Sequence, residues 1–247
     1  MEIQYFKQYS SCLTRDMEFK VYGEGGKPVL YIPCEGGRFV DFENFHMVDS
    51  WAKWIEEGRV TVFAIDTVDH ESWLDKNGDP GHRTWVHEQW IHYIVDELVP
   101  FIRYQCGING WQDGKIMTFG TSLGANHALN LFLRFPYIFD CCLALSGKYN
   151  SSIYFGDYMD SRLYDNSPEM YLTNMPADHP YIEKYNSNRC VVCSGQGSWE
   201  DPASALWLKE NFERLGINIW VDLWGYDVIH DWPWWYKMVE YHVPKIL

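Results

Sequence analysis

The chain has 247 residues, 47% hydrophobic and 22% charged, so it is long enough to bury the core of an α/β domain. Its formal net charge of −14 would repel phosphate backbones and anionic lipids, which argues against nucleic acid and membrane surfaces as partners. No apolar run is long enough to span a bilayer, and the N-terminus lacks the pattern of a secretory signal. The seven cysteines have no framework spacing, so we expect reduced thiols and a cytoplasmic protein.

In chain order, the sequence predicts two N-terminal strands and then an alternation of strands and helices. Residues 3–10 and 13–22 alternate between polar and apolar side chains, and we expect them to pair as antiparallel strands. The later predicted strands are short apolar runs, typical of strands buried on both faces: 29–33, 60–66, 116–119, 139–145, 190–194 and 218–223. Helices are predicted over 44–58, 84–105, 123–135, 202–215 and 233–242, the second of them kinked near Pro100.

This alternation decides the predicted fold class. Consecutive parallel strands need crossover connections, so we predict one α/β domain over residues 1–247, with a mainly parallel sheet and helices on both faces. The stretch 146–185 has no clear period and is rich in Tyr, Asp, Asn, Pro and Met. A long excursion of this kind is usually functional, and we expect a cap or a substrate-facing insertion there.

The strongest chemical signal is the sequence Gly120-Thr121-Ser122-Leu123-Gly124. It has the G-x-S-x-G pattern of a nucleophile elbow, and it lies between a predicted strand and a predicted helix. Glycine is needed at both ends because a Cβ there would collide with the neighbouring strand or helix in so sharp a turn. We therefore predict that Ser122 is a catalytic nucleophile and that the Leu123 N–H, at a helix N-terminus, stabilises an oxyanion.

A serine hydroxyl needs a base that takes its proton before it can attack an ester at neutral pH. Of the nine histidines, His230 has the position expected of that base, in the loop after the last predicted strand. His127 follows Ser122 on the predicted helix, and we expect it to have a packing role. His87 lies on the long helix and has no predicted function.

Two acids compete to be the group that holds the imidazole in the correct tautomer. Glu200 and Asp201 both lie in the loop after the predicted strand 190–194. Asp201 precedes Pro202 at the start of a predicted helix, where an aspartate is a strong N-cap. Glu200 has no such structural duty, so we favour Glu200 as the triad acid and keep Asp201 as the alternative.

The second oxyanion donor is expected in the loop after the first buried strand. That loop reads Cys34-Glu35-Gly36-Gly37, and its glycines let the backbone approach a ligand closely. We favour the N–H of Gly36, with Glu35 as a near equal.

Three further residues are candidate contacts for the substrate. Asp66 and Asp69 lie at the carboxyl end of the predicted strand 60–66, where ligands bind in open α/β sheets. Trp199 lies beside the candidate acids, and aromatic side chains commonly line small-molecule sites. The two aspartates have a second interpretation as solvated surface acids.

The sequence predicts neither a metal nor a cofactor. It has no H-E-x-x-H motif and no paired C-x-x-C with zinc-finger spacing. It also lacks a G-x-G-x-x-G after a predicted strand and a Walker A loop, so nucleotide cofactors are not indicated.

The elbow at 120–124 and the block His230-Asp231-Trp232-Pro233-Trp234-Trp235 resemble the esterase family that includes esterase D, feruloyl esterases and mycolyltransferases. The resemblance covers residues 29–247 and implies an α/β-hydrolase fold, no metal, and acyl transfer to water through a serine ester. It matches Ser122 to the family's nucleophile and His230 to its base. The acid carries over less directly, because many relatives have a Gly-x-x-Asp pattern, whereas here Gly195 is followed three residues on by Ser198. Counting from Gly197 instead gives Glu200.

We therefore expect a serine esterase that cleaves a small-molecule or acylated-sugar ester. One alternative is an acyltransferase that uses the same triad and excludes water, as the mycolyltransferase-like block suggests. Another is a ligand-binding protein that has kept the elbow without productive geometry, because fold does not fix function.

Overall fold

An eight-stranded sheet forms the centre of the computed structural model, which describes residues 1–108 and 115–247. Its strands lie in the order β1-β2-β4-β3-β5-β6-β7-β8. The strands are β1 (Ile3–Ser10), β2 (Arg15–Tyr22), β3 (Lys27–Ile32), β4 (Val60–Ile65), β5 (Ile116–Thr121), β6 (Phe139–Leu145), β7 (Arg189–Ser194) and β8 (Trp220–Leu223). The β1–β2 and β2–β4 pairs are antiparallel and the others are parallel. The predicted mainly parallel α/β fold is confirmed.

The described helices connect these strands and cover both faces of the sheet. They are α1 (Asp41–Asn44), α2 (Met47–Glu56), α3 (Pro80–His92), α4 (Val99–Ile108), α5 (Leu123–Arg134), α6 (Ser152–Phe155), α7 (Ser161–Asp165), α8 (Pro168–Asn174), α9 (Tyr181–Ser187), α10 (Pro202–Leu215) and α11 (Trp232–Ile246). A 3₁₀ turn covers Asp69–Glu71, and a π-helical segment, Tyr93–Leu98, joins α3 to α4.

The alternation of side chains along a strand divides the core into two layers. In β3, Leu30 and Ile32 pack in the layer beneath α3, α4, α5 and α10, whereas Val29 and Tyr31 pack on the opposite face beneath α2 and α11. Every residue from Val29 to Ile32 is fully buried, which explains why this part of the sequence is a continuous apolar run.

The predicted helix 44–58 is wrong in its first part. The structure has α1 and α2 there, separated at His46, whose φ of 57° is left-handed and incompatible with one continuous helix. The Tyr236 hydroxyl donates to the Phe45 carbonyl, and the Phe45 ring stacks on Trp232 at 4.6 Å. Tertiary contacts with α11 therefore stabilise a break that local propensity does not encode.

The kink expected near Pro100 takes the form of a widened turn. Pro100 has no N–H to donate to the carbonyl four residues earlier, and its ring crowds that carbonyl. The π-helical segment Tyr93–Leu98 ends two residues before Pro100 and accommodates the missing hydrogen bond without ending the helix. Helix α11 similarly continues past Pro244 to Ile246, beyond the predicted end at 242.

The predicted insertion 146–185 contains the short helices α6 to α9, and a buried arginine ties it to the rest of the fold. Arg83, 3% exposed, donates to the carbonyls of Ser72, Trp73 and Tyr154 at 2.7, 3.0 and 2.9 Å. Its guanidinium also lies 4.1 Å from the centroid of the Phe155 ring. Burial lowers the pKa of Arg83. One cation thus joins α6 to the loop that follows β4.

Replacing Arg83 with methionine should destabilise the fold, because three buried carbonyls would lose their donors. We expect Arg83→Met to lower the free energy of unfolding by about 3 kcal/mol, measured by urea denaturation. Arg162→Met is the matched control, because this side chain on α7 is 45% exposed, and its effect should stay within about 0.5 kcal/mol. Equal effects of the two substitutions would contradict the assignment.

Candidate active site

Ser122 occupies a strained bend between β5 and α5. Its φ of 56° and ψ of −124° lie outside the regions that L-residues normally adopt. A Cβ on Gly120 would lie 2.1 Å from the Gly124 carbonyl oxygen, and a Cβ on Gly124 would lie 2.3 Å from the Ile32 carbonyl oxygen. Only glycine therefore fits at both positions. The bend leaves Ser122 partly exposed while Leu123 is buried.

His230 lies in the loop between β8 and α11, and its ring faces the bend. Its Nε2 lies 2.9 Å from the Ser122 hydroxyl oxygen, at hydrogen-bond distance, although the two residues are far apart in the chain. The His230 backbone N–H donates to the Ser198 carbonyl at 3.2 Å. The Trp235 indole and the imidazole meet edge to face, with ring centroids 5.1 Å apart and an interplanar angle of 87°. The imidazole side chain is 17% exposed, so solvent still reaches it.

Glu200 lies on the other side of the imidazole. Its Oε2 is 3.5 Å from His230 Nδ1, at the outer limit of a hydrogen bond, and its side chain is fully buried. The Ser146 hydroxyl donates to Oε1 at 2.7 Å and the Ser194 hydroxyl donates to Oε2 at 3.3 Å. A carboxylate held in this way can accept a hydrogen bond from an Nδ1–H of the imidazole.

Asp201 points to a different partner. Its carboxylate accepts a hydrogen bond from the Ser204 N–H at 3.2 Å and caps the N-terminus of α10. The structure therefore brings Glu200 to His230 and gives Asp201 the capping position.

The two candidate oxyanion regions follow neighbouring strands. Leu123 is the first residue of α5, so its N–H has no acceptor within the helix. Residues 34–37 form a tight turn after β3, the strand beside β5, in which Gly37 donates to the Cys34 carbonyl at 2.8 Å. Gly36 has a φ of 72° in that turn, which favours glycine, and both Glu35 and Gly36 are exposed.

Cys34 lies in the same turn but is a poor nucleophile. Burial and the nearby Asp41 carboxylate raise the pKa of this thiol to about 11. At neutral pH the thiol is therefore almost entirely protonated, and the thiolate is the reactive form.

The candidate substrate contacts have different surroundings. The Asp66 carboxylate pairs with Arg38 at 2.7 Å and accepts the Phe39 N–H at 2.9 Å. Asp69 is 1% exposed, and its Oδ1 lies 3.0 Å from Nε2 of His127. Both acids thus have protein partners, whereas Trp199 is 82% exposed and available to a ligand.

Two positioning residues of the site are absent from the sequence predictions. Ser146 has a left-handed φ of 56°, and it lies at the carboxyl end of β6. Its hydroxyl accepts the Trp235 indole N–H at 2.9 Å while it donates to Glu200. Trp235 therefore contacts both His230 and the serine that donates to Glu200. The only sequence signal was that Trp235 belongs to the block that follows His230.

The sheet order and the bend at Ser122 define an α/β hydrolase. Residues 10–240 match the family model described as "Putative esterase", and the chain belongs to this family. It is accordingly a carboxylic ester hydrolase. No curated protein is similar enough in sequence to count as a match. None of the described helices has the length and apolarity needed to cross a membrane.

Several solved structures share the fold at low sequence identity. A ferulic acid esterase has a TM-score of 0.76 at 16% identity, covering 99% of this chain and 97% of that one. MPT51 (FbpC1) from Mycobacterium tuberculosis has a TM-score of 0.73 at 14% identity, covering 100% and 98%. An S-formylglutathione hydrolase from Agrobacterium tumefaciens has a TM-score of 0.71 at 14% identity, covering 98% and 93%. The predicted esterase resemblance is confirmed.

The contacts of Trp235 generate a prediction about catalysis. Trp235→Phe removes the indole N–H from Ser146 but keeps an aromatic ring beside His230. Losing one such hydrogen bond should lower kcat by about tenfold with little change in KM, since the acid and base lose orientation while the substrate surface is intact. Steady-state kinetics on a short p-nitrophenyl ester measure this.

Trp234→Phe is the matched control, because Trp234 contacts Lys237 instead and lies 4.0 Å from its ammonium. It should leave kcat within about twofold of the wild type, because phenylalanine keeps an aromatic ring at this partly buried position while the contacts of His230 and Ser146 stay intact. A loss of kcat shared equally by both variants would show that the indole N–H has no special role.

Proposed function

We propose that this chain is a serine esterase in which Ser122 attacks a small-molecule or acylated-sugar ester. The observation that carries the proposal is the 2.9 Å hydrogen bond between Ser122 Oγ and His230 Nε2, with Glu200 on the opposite ring nitrogen. Nucleophile, base and orienting acid thus form one connected chain, which is the arrangement that serine hydrolysis needs.

In the first half of the reaction, Ser122 Oγ bonds to the ester carbonyl carbon as its proton passes to His230 Nε2. The negative charge moves to the carbonyl oxygen, which accepts hydrogen bonds from the Leu123 N–H and from an N–H of the 34–37 turn. We assign the second donor to Gly36, with Glu35 as the alternative. The tetrahedral intermediate then expels the alcohol, which takes the proton from His230 and leaves an acyl-serine.

In the second half, water replaces the alcohol. His230 takes a proton from water, the hydroxide bonds to the acyl carbon, and the Ser122 oxygen leaves and recovers its proton. The products are the free acid and the regenerated enzyme. Glu200 keeps the imidazole in the tautomer with its proton on Nδ1 and stabilises the imidazolium in both halves.

Exposure of the site favours hydrolysis over acyl transfer. An acyltransferase must keep water away from the acyl-serine, whereas here His230 is 17% exposed and Ser122 is also partly exposed. Trp199, 82% exposed and next to Glu200, is our candidate contact for the substrate. The seven free thiols fit our expectation of a cytoplasmic setting.

The role of Ser122 is tested by covalent labelling. A fluorophosphonate probe should label the folded wild type, and the label should map to Ser122 by peptide mass spectrometry. Ser122→Ala should lose the label and lower hydrolysis of p-nitrophenyl acetate by about 10⁶-fold or to background, as removal of a triad nucleophile does. Turnover or labelling that survives in Ser122→Ala would reject this nucleophile.

The choice of acid is tested by two amide substitutions. Glu200→Gln removes the charge that holds the imidazole and should lower kcat by about 10³- to 10⁴-fold, as an equivalent change does in other triads. Asp201→Asn is the matched control, because asparagine caps a helix about as well as aspartate. It should leave both kcat and the melting temperature near the wild-type values. The reverse pattern would move the acid to Asp201.

A further inference from the structure

A second polar cluster lies in the interior, behind the proposed oxyanion donors. It consists of Asp69 from the loop after β4, His87 from α3 and His127 from α5, all of them at most 3% exposed. Their candidate ligand atoms lie within 4.8 Å of one another. The proposed reaction uses none of these side chains.

The cluster has more hydrogen-bonding capacity than the protein satisfies. The one polar contact within it joins His127 Nε2 to Asp69 Oδ1 at 3.0 Å. Among the residues that the structure describes, neither ring nitrogen of His87 has a hydrogen-bond partner, and Asp69 Oδ2 has none either. A buried polar group without a partner destabilises the fold. Such a concentration at one place calls for a bound species that supplies the missing interactions.

Aromatic packing fixes the orientation of the two imidazoles. The Trp73 ring meets His87 at 5.5 Å and His127 at 5.4 Å, in both cases nearly edge-on. Trp90 contacts the same two rings at 5.5 and 5.4 Å, and the imidazole centroids are 5.0 Å apart. Packing that already holds both imidazoles beside Asp69 lowers the entropy cost of bringing the ligands together.

We propose that Asp69, His87 and His127 bind a zinc ion. Two imidazole nitrogens and a carboxylate oxygen are a typical donor set for Zn²⁺. Bonds of about 2.1 Å at tetrahedral angles hold ligand atoms about 3.4 Å apart. The ligand atoms here lie within 4.8 Å of one another, so the widest separation must contract by up to about 1.4 Å. The ion takes the place of the proton between His127 and Asp69, and that proton leaves to solvent.

The position of the cluster indicates a structural role. Its three ligands are buried, so a substrate has no access to the ion. His127 lies one helical turn after Leu123, and His70, next to Asp69, lies 3.6 Å from the place where a Cβ on Gly36 would be. An ion here would link the loop after β4 to α5 and hold both proposed oxyanion donors from behind.

A second group of potential ligands, Cys193, Asp222 and His242, is a weaker candidate. His242 Nδ1 donates to the Met238 carbonyl at 2.8 Å, and Nε2 already faces Asp222 at 2.9 Å. Both nitrogens of this imidazole are therefore engaged. The group serves as an internal control in the test.

The test is metal binding by the full-length protein, measured without reference to activity. Protein stripped with EDTA is titrated with ZnCl₂ by calorimetry, and zinc is counted by mass spectrometry after dialysis. We expect one zinc ion per chain. With free Zn²⁺ about 100-fold above Kd, the melting temperature should rise by about 5 °C or more.

Three substitutions locate the ion. His87→Phe keeps an aromatic ring against Trp73, and Asp69→Asn keeps the shape of the acid. Each should weaken zinc binding by at least about 100-fold, since second-sphere changes alone reach 10–100-fold. His92→Phe is the matched control on α3, because His92 is half-exposed beside Asp96 at 2.9 Å, and it should leave binding unchanged.

Binding of Co²⁺ is measured on the wild-type protein alone, so this readout does not require any variant to fold. Wild-type protein with Co²⁺ should show visible d–d absorption without a thiolate charge-transfer band, because the proposed ligands are nitrogen and oxygen. A thiolate band, or zinc binding that Cys193→Ser abolishes, would place the ion at the other group and overturn the proposal. Absence of stoichiometric binding of both ions, or full binding by His87→Phe and Asp69→Asn, would also overturn it.

Discussion

The constraint on which the site depends is the close approach of α5 to the backbone of β3. Gly124 lies so near the Ile32 carbonyl that a methyl group would overlap it, and Gly120 lies equally near Gly124. This contact lets the chain reverse within one residue at Ser122, whose backbone takes an unfavourable conformation. The strain costs about 1–3 kcal/mol and persists because β5, buried on both faces, holds one side of the bend and α5 holds the other. Without this close approach of α5 to β3, the bend would not direct the serine hydroxyl toward His230.

Glu200 and His230 are held by a second set of contacts, on the β6–β8 side of the bend. Ser146 follows β6, Glu200 follows β7 and His230 follows β8, so neighbouring parallel strands deliver them to one edge of the sheet. Trp235 of α11 joins them, because its indole contacts both His230 and Ser146. A buried carboxylate is stable only when its oxygens have donors, and the two serine hydroxyls meet that need for Glu200.

The sequence predicted best what is encoded locally or by chain order. A G-x-S-x-G between a strand and a helix is a local pattern, and His230 was selected because it follows the last strand. Glu200 was separated from Asp201 by a local argument about helix capping. The break at His46 could not be predicted this way, because contacts with Tyr236 and Trp232 stabilise it. The group formed by Asp69, His87 and His127 could not be predicted from the sequence either. Its members come from three separate segments, and the packing around Trp73 brings them together.

The two sides of the bend therefore have different physical tasks. In the proposed reaction, the side formed by β6–β8 and α11 carries the groups that transfer protons, and these polar groups satisfy one another through direct hydrogen bonds. The side formed by β3, β4 and α5 supplies backbone N–H groups, whose placement depends on loops and not on side-chain hydrogen bonds. Loops need a separate support to keep an oxyanion donor within a few tenths of an ångström. In this chain the buried Asp69 and the two imidazoles lie where such a support is required, between the loop after β4 and α5. Since β5 carries Ser122 between the two sides, the position of this proposed nucleophile depends on both.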